Sequence, residues 1–387
     1  MAEIKEIRNA MRKKKRNRTI RRICIVVILL ALVVAVIINR ENLTPEAISN
    51  WLSGTISANS SEEGFPVSLP SGETVSLVGV GDNVALTTQT NTYFYSARGK
   101  ELRSFQHSCK GVQAKAAGEN LLLYSVGGNS VLVETKTKNV ASLEAKNKII
   151  TGEISKNGRF AIATESDVYT SEMTVYDKAG NAVFKWTPSG SVIASLALSE
   201  DGRSVAAATV STEGGVLVTG VHLFETGKSE ALFSYKIRDE IAVSLSVHKN
   251  RVRVITDSSV TDIDSNGELI ERLGFDEKKL IAESECDDLS VLVFEDVNDP
   301  SKSTVEIINN KTVVSAQAAV SKAVLSAASD GKDIYLMADD EVMRFSSTTA
   351  VKIGSSKIEH GGERLAASTA GAFVITNASE LLRPELN

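Results

Sequence analysis

The chain has 387 residues, 42% hydrophobic and 24% charged, with a net charge of −5 and three cysteines. That balance excludes a disordered or collagenous polymer, and so few cysteines make no disulfide framework. Residues 1–22 hold ten Lys and Arg against Glu3 and Glu6, a local +8, so the remainder carries −13 and has no basic stripe for nucleic acid.

The first element is the run Ile23–Ile38, sixteen residues without a charge or a polar amide. At 1.5 Å per residue it covers about 24 Å of a hydrocarbon core of about 30 Å, and Thr19 and Ile20 extend it if Arg21 and Arg22 bend their stems toward the headgroups. The basic flank before it and the weakly charged flank after it predict a single-pass transmembrane helix over 23–38. The N-terminus is then cytoplasmic and everything beyond Arg40 extracytoplasmic. A cleaved signal would need a small-x-small site close behind the run. Asn39–Asn42 offers none, and Ala47-x-Ser49 lies beyond Pro45 and Glu46. Arg21-Arg22-Ile23 before Cys24 is no lipoprotein box. The basic tail of residues 1–22 is expected to sit against anionic lipids of the cell membrane.

Residues 39–64 read as a juxtamembrane linker. Thr44-Pro45-Glu46 gives an N-cap, a first-turn proline and a first-turn acid; Ala47, Ile48, Trp51 and Leu52 follow, and Gly54 stops a short amphipathic helix. Thr55–Gly64, rich in Ser and without apolar periodicity, is a flexible spacer.

From Phe65 to Asn387 the expectation is an all-β domain, built of short apolar-alternating runs divided by Gly, Asn, Asp and Ser. Gly99, Gly180, Gly227 and Gly267 each have an apolar or aromatic residue four positions before (Tyr95, Tyr176, Leu223, Ile263) and another six after (Phe105, Trp186, Phe233, Leu273). The steps between them are single or double multiples of about forty residues, the spacing of a propeller blade. A second turn precedes such hairpins, at Ser155–Arg159, Ser199–Arg203 and Ser329–Lys332, where Asn or Asp with Gly tolerates positive φ. Units then start near Val75, Lys110, Lys148, Ser191, Ile241, Leu280, Ala323 and Arg364. The eighth has room for three strands only, and Phe65–Leu69 is the spare strand that closes the ring. This favours an eight-bladed β-propeller over a seven-bladed one, the stretch Leu280–Val324 being the most divergent.

The Ser-x-Asp-Gly-Arg turn followed by an apolar strand resembles the units of WD40-like and quinoprotein-like bacterial propellers. The layout as a whole resembles an uncharacterised domain-of-unknown-function family of Gram-positive single-pass membrane proteins. The Gly-His and Trp-Asp pairs of eukaryotic WD40 repeats and the Ala-x-Asp-x-x-Thr-Gly-x-x-x-Trp signature of quinoprotein blades are absent, so the resemblance implies shape and location without an activity.

Chemistry-bearing motifs are sparse. His107, His222, His248 and His360 fall in different units without metal-ligand spacing and are expected to be solvated or loop residues. There is no nucleophile elbow, phosphate-binding glycine loop or nucleotide fingerprint. Asp262-x-Asp264-x-Asn266-Gly267 matches half of a calcium loop, but its twelfth position is Leu273, so it reads as a turn. Glu295, Asp296, Asn298 and Asp299, ending in Asp299-Pro300, read as an exposed hairpin loop. Cys109 and Cys286 fall in opposed units and are expected to be unpaired. No catalytic, cofactor or metal residue is assigned. The expectation is a protein-binding scaffold on one propeller face, docking an envelope protein. The alternatives are a lyase or quinoprotein-type enzyme with an axial site, or a ligand sensor. Convergence of charged side chains on the axis would favour the enzyme.

Overall fold

The computed structural model describes residues 64–386 apart from 71, 72, 229 and 360. The expected transmembrane run and juxtamembrane helix lie outside the described residues. Among the described residues no helix is long and apolar enough to cross a membrane.

The described chain forms thirty-two strands, numbered β1 to β32 along the sequence, in eight four-stranded antiparallel sheets. The first strand of each blade is β2 (Thr74–Val80), β6 (Val112–Ala117), β10 (Ile149–Ile154), β14 (Val192–Leu198), β18 (Ala242–His248), β22 (Leu280–Cys286), β26 (Val324–Ser329) and β30 (Gly362–Ser368). These starts lie within two residues of those expected from the repeat. First strands of successive blades lie against one another except between β18 and β22, where the approach is looser, and β2 against β30 completes the circle. The fold is an eight-bladed β-propeller.

Seven sheets follow chain order from axis to rim. The last sheet is ordered β1, β32, β31, β30, so β1 (Val67–Ser68) becomes the outer strand of blade eight. Val67 pairs with Leu381 and Ser68 with Glu380 in β32 (Glu380–Leu382), and the Leu69 N–H donates to the Ser379 carbonyl at 2.7 Å. Phe65 packs on Phe373 at 5.8 Å between ring centroids. Both chain ends of the domain thus meet in one sheet. The closure removes free edges that would otherwise pair with other chains.

Local chemistry explains the turns. Ser155 Oγ donates to Asn157 Oδ1 (2.6 Å), which also accepts from the Arg159 N–H (2.9 Å), while Gly158 takes φ 89°. Ser199, Asp201 and Gly202 (φ 62°) repeat that arrangement one blade on. Gly79 answers a different need: a Cβ there would lie 1.9 Å from the Ala367 carbonyl oxygen, so only glycine lets blades one and eight approach this closely.

The second strands supply the core. In β3 (Asn83–Thr88) and β7 (Asn120–Ser125) every residue is buried, because each lies between two strands of its own blade and two neighbouring blades. Large aromatics fill the gaps further out. Trp186 of one blade packs at a tilt against Phe224 (4.7 Å) and His222 (4.8 Å) of the next.

A feature absent from the repeat pattern is a bulge near the beginning of the first strand. It falls between Thr74 and Ser76, Ile149 and Thr151, Ile193 and Ser195, Ala242 and Ser244, Leu280 and Ala282, Val324 and Ser326, and Gly362 and Arg364. Only β6 pairs without one. The additional residue increases local twist and lets the strand leave the rim and turn down the axis.

Candidate functional site in the axial channel

Because side chains of a strand alternate between faces, every second residue of a first strand is presented to the axis. The eight first strands together line an axial cavity of about 710 Å³, whose mouth is ringed by first-to-second-strand turns such as Ser155–Lys156 and Asp330–Gly331. In four blades the lining is small: Gly79, Ala197, Ser329 and Ala367. In β6, β10 and β22 it is charged, with Lys115, Glu153, Glu283 and Glu285.

Lys115 Nζ stands 3.5 Å from Glu153 Oε2. Burial pushes the Glu153 carboxyl up, against the opposing pull of Lys115, and Glu153 in turn holds the lysine ammonium above its usual range. Glu283 is also raised by burial, offset in part by Lys115. Glu285 is pushed up to about 7, first by burial, with the Ser246 hydroxyl opposing and the neighbouring Glu283 charge adding to it. Burial thus raises the Glu153, Glu283 and Glu285 carboxyls together, and Lys115 opposes it at Glu153 and Glu283.

Beside these carboxyls, β18 presents Ser246 and His248. His248 Nε2 lies 3.1 Å from Ser246 Oγ, and its Nδ1 lies 2.9 Å from Asp288 Oδ1. Behind them, in β19 (Arg251–Thr256) and β20 (Ser259–Asp264), is a buried ionic centre. Arg253 donates to Asp262 through Nε (2.8 Å) and Nη2 (2.6 Å), Thr312 donates to the same carboxylate (2.7 Å), and Arg251 Nε stands 3.1 Å from it. Burial lowers the His248 pKa, Arg251 lowers it further, and Asp288 opposes them.

The histidines therefore differ from their expected solvated state. His107 does follow a strand in a connection, but it is only 6% exposed, and burial depresses its pKa. His222 packs on Trp186 between Thr209 and Ser234, and burial takes its pKa down to about 4. His248 faces the cavity. Alternation within strands, which a residue-spacing search ignores, carries His222 and His248 inward. His360 lies outside the described residues.

The half-motif at 262–267 is divided by the same alternation. Asp262 points inward to Arg253, whereas Asp264 accepts from the Asn266 (2.9 Å) and Glu268 (2.8 Å) N–H groups and builds a turn. Asp296 and Asp299 likewise cap an exposed loop, accepting from Asn298 and Ser301. Cys109 and Cys286 are buried and unpaired. Among the described residues no three His, Cys, Asp or Glu side chains are grouped to hold a metal ion.

The axial charges were missed by motif reading, yet their signal is in the sequence. Leu280-Ile-Ala-Glu-Ser-Glu-Cys places acids at alternate positions of a first strand, and one parity of that strand must face the axis.

The domain resembles proteins with widely different sequences. It superposes on Sqt1 of Saccharomyces cerevisiae with a TM-score of 0.60 at 12% identity, covering 83% of this chain and 98% of that one. The computationally designed protein Ika8 gives 0.60 at 14% identity, covering 80% and 96%. BamB of Moraxella catarrhalis gives 0.53 at 11% identity, covering 82% and 100%. At such identities the likeness establishes the fold alone. No curated protein matches the sequence. A family model described as "Family of unknown function (DUF5711)" matches residues 65–364.

Proposed function

The chain belongs to the DUF5711 family of unknown function, and from that premise we propose that it is a membrane-anchored extracytoplasmic docking module for another envelope protein. The anchor rests on the basic flank and the apolar run Ile23–Ile38. The docking reading rests on one observation about the folded domain.

About half of the exposed large apolar side chains are gathered on one face. Val168, Tyr169, Val192, Val243, Val297 and Leu325 all belong to the face where first strands begin and second strands hand over to third strands. Val168 is 82% and Val297 79% exposed, values at which a large apolar group is solvated at a cost. Apolar residues exposed away from this face lie on or beside fourth strands at the outer wall, as Leu269 and Val314 do. On the same face the blade-four hairpin, β15 (Ser204–Glu213) and β16 (Val216–Glu225), carries Ser211–Glu213 past the last pairing with β14. A raised hairpin beside a broad apolar-studded face suits a protein partner, whose interface needs on the order of 800 Å² from each side.

The test is in vivo crosslinking of the full chain with photoreactive residues at Tyr169, Val297 and Leu325, against Leu269 and Val314 as controls. The first three positions should capture one common envelope protein, and the combination V168S, Y169S and L325S should abolish capture from position 297 without lowering Tm. Equal capture from both groups of positions would remove the assignment to this face.

A second reading is favoured by the charged side chains that converge on the axis: the cavity is a site for a small molecule. Its volume falls within the range of small-molecule sites.

A further inference from the structure

The second reading can be carried further, because the axial cavity contains an ordered set of groups and not merely charge. Ser246 and His248 are two residues apart on β18 and so lie on the same side of the strand. Ser246 Oγ is within hydrogen-bond reach of His248 Nε2 at 3.1 Å as well as of the Glu285 carboxyl, and the opposite ring nitrogen is held by Asp288 at 2.9 Å. Asp288 belongs to the turn after β22, the next blade, so the histidine is oriented across a blade boundary. A carboxylate on Nδ1 fixes the tautomer that leaves Nε2 free to take a proton from the serine.

We propose that Ser246 and His248, with Asp288 as positioning residue, form an acyl-transfer relay in the axial cavity that hydrolyses small carboxylic esters bearing an ammonium group. This rests on the reading of the cavity as a small-molecule site.

The chemistry requires no group besides water. Ser246 Oγ attacks the ester carbonyl carbon while its proton passes to His248 Nε2. The carbon–oxygen bond to the alcohol then breaks, and His248 returns that proton to the departing alkoxide. Water, deprotonated by the same nitrogen, attacks the acyl-serine, releasing the carboxylic acid and restoring the hydroxyl. His248 is suited to the base role because burial and the Arg251 and Arg253 charges keep it neutral at physiological pH, against the opposing pull of Asp288 and Asp262. The preference for an ammonium group comes from Glu283 and Glu285, both facing the same cavity from β22. A cation placed between them offsets both the burial and the Glu283 charge that raise Glu285. Asp288 is largely exposed, with 63% of its side chain in solvent, so its charge is screened and its part is to orient the ring.

The test uses the full chain purified in detergent, with the 4-nitrophenyl esters of β-alanine and of propionate as probes. Expected are saturable hydrolysis, kcat/KM at least 10-fold higher for the β-alanine ester, and labelling of Ser246 by a fluorophosphonate. S246A and H248Q should each lower kcat at least 100-fold, whereas D288N should change kcat about 10-fold and displace the acidic limb of the pH profile without altering KM. S246C, which restores a nucleophile, should recover acylation where S246A has none. Wild-type turnover no faster than buffer, or turnover that survives S246A at unchanged Tm, overturns the relay. Calorimetry with β-alaninamide separates the two levels: binding that is lost in E283Q/E285Q, without turnover, sinks the relay alone, and no binding sinks the small-molecule reading with it.

Discussion

Arg253 is 1% exposed and Asp262 wholly buried, and each is satisfied more than once: the carboxylate by Arg253, Arg251 and Thr312, the guanidinium also by Ser290 and the Asn309 carbonyl. Taking two ions out of water costs several kcal/mol, which such geometry offsets only while both partners are present. Arg253→Met should therefore destabilise the domain by about 3–5 kcal/mol, because Asp262 is left charged and buried with less compensation. The double variant Arg253→Met/Asp262→Leu should cost much less than the sum of the single changes. Denaturant titration of the four proteins in this cycle checks it, and additivity would mean the pair does not act as a unit. At this scale the sequence is hard to read. Asp262 and Asp264 look alike in a linear motif, yet one is a core ion and the other a turn cap. Strand parity separates them only after the strand boundaries are known. Ser246 and His248 were equally invisible, since the third member of their set comes from another blade.

At the scale of strands and hairpins the repeat was legible, since turn chemistry and apolar alternation are local. Glycines and Asn or Asp at fixed offsets marked five of the eight units, and the forty-residue spacing gave the starts of the other three. The closing strand was legible for an arithmetical reason: a three-stranded remainder at one end and a spare strand at the other. Phe65, Val67 and Leu69 pack onto the cluster around Phe373 and Leu381. Deleting residues 65–69 exposes that cluster and the β32 edge together. The lost apolar burial is worth roughly 3–5 kcal/mol, which should lower the unfolding midpoint of the full chain by on the order of 5 °C. Deletion of residues 55–64, which removes only the spacer of the sequence reading, should leave the midpoint within about 1 °C, and equal loss from both deletions would refute closure by β1. The bulges of the first strands were not legible. One additional residue in a strand of Ser, Ala and Gly changes no visible period, and only its pairing with the second strand reveals it.

At the scale of the whole molecule, placement depends on a segment outside the described residues, so the argument there is electrostatic and thermodynamic. Ten basic residues precede the apolar run, and each resists translocation into a bilayer at a cost of a few kcal/mol. The flank after the run offers no comparable retention signal, which predicts an N-terminal side held inside and a propeller carried out. The orientation can be read by protease accessibility. With the outer layers of the envelope made permeable and the membrane intact, added protease should degrade the chain beyond Arg40 and spare an N-terminal tag. Neutralising the flank, by replacing Lys13, Lys14, Lys15 and Arg16 with Gln, should leave a fraction of chains with the propeller inside and protected. Complete protection of the propeller in the unaltered protein would reverse the orientation. A mature N-terminus near Ser49 would show that the run is removed, leaving the propeller free of its anchor and the docking face without a fixed distance from the membrane.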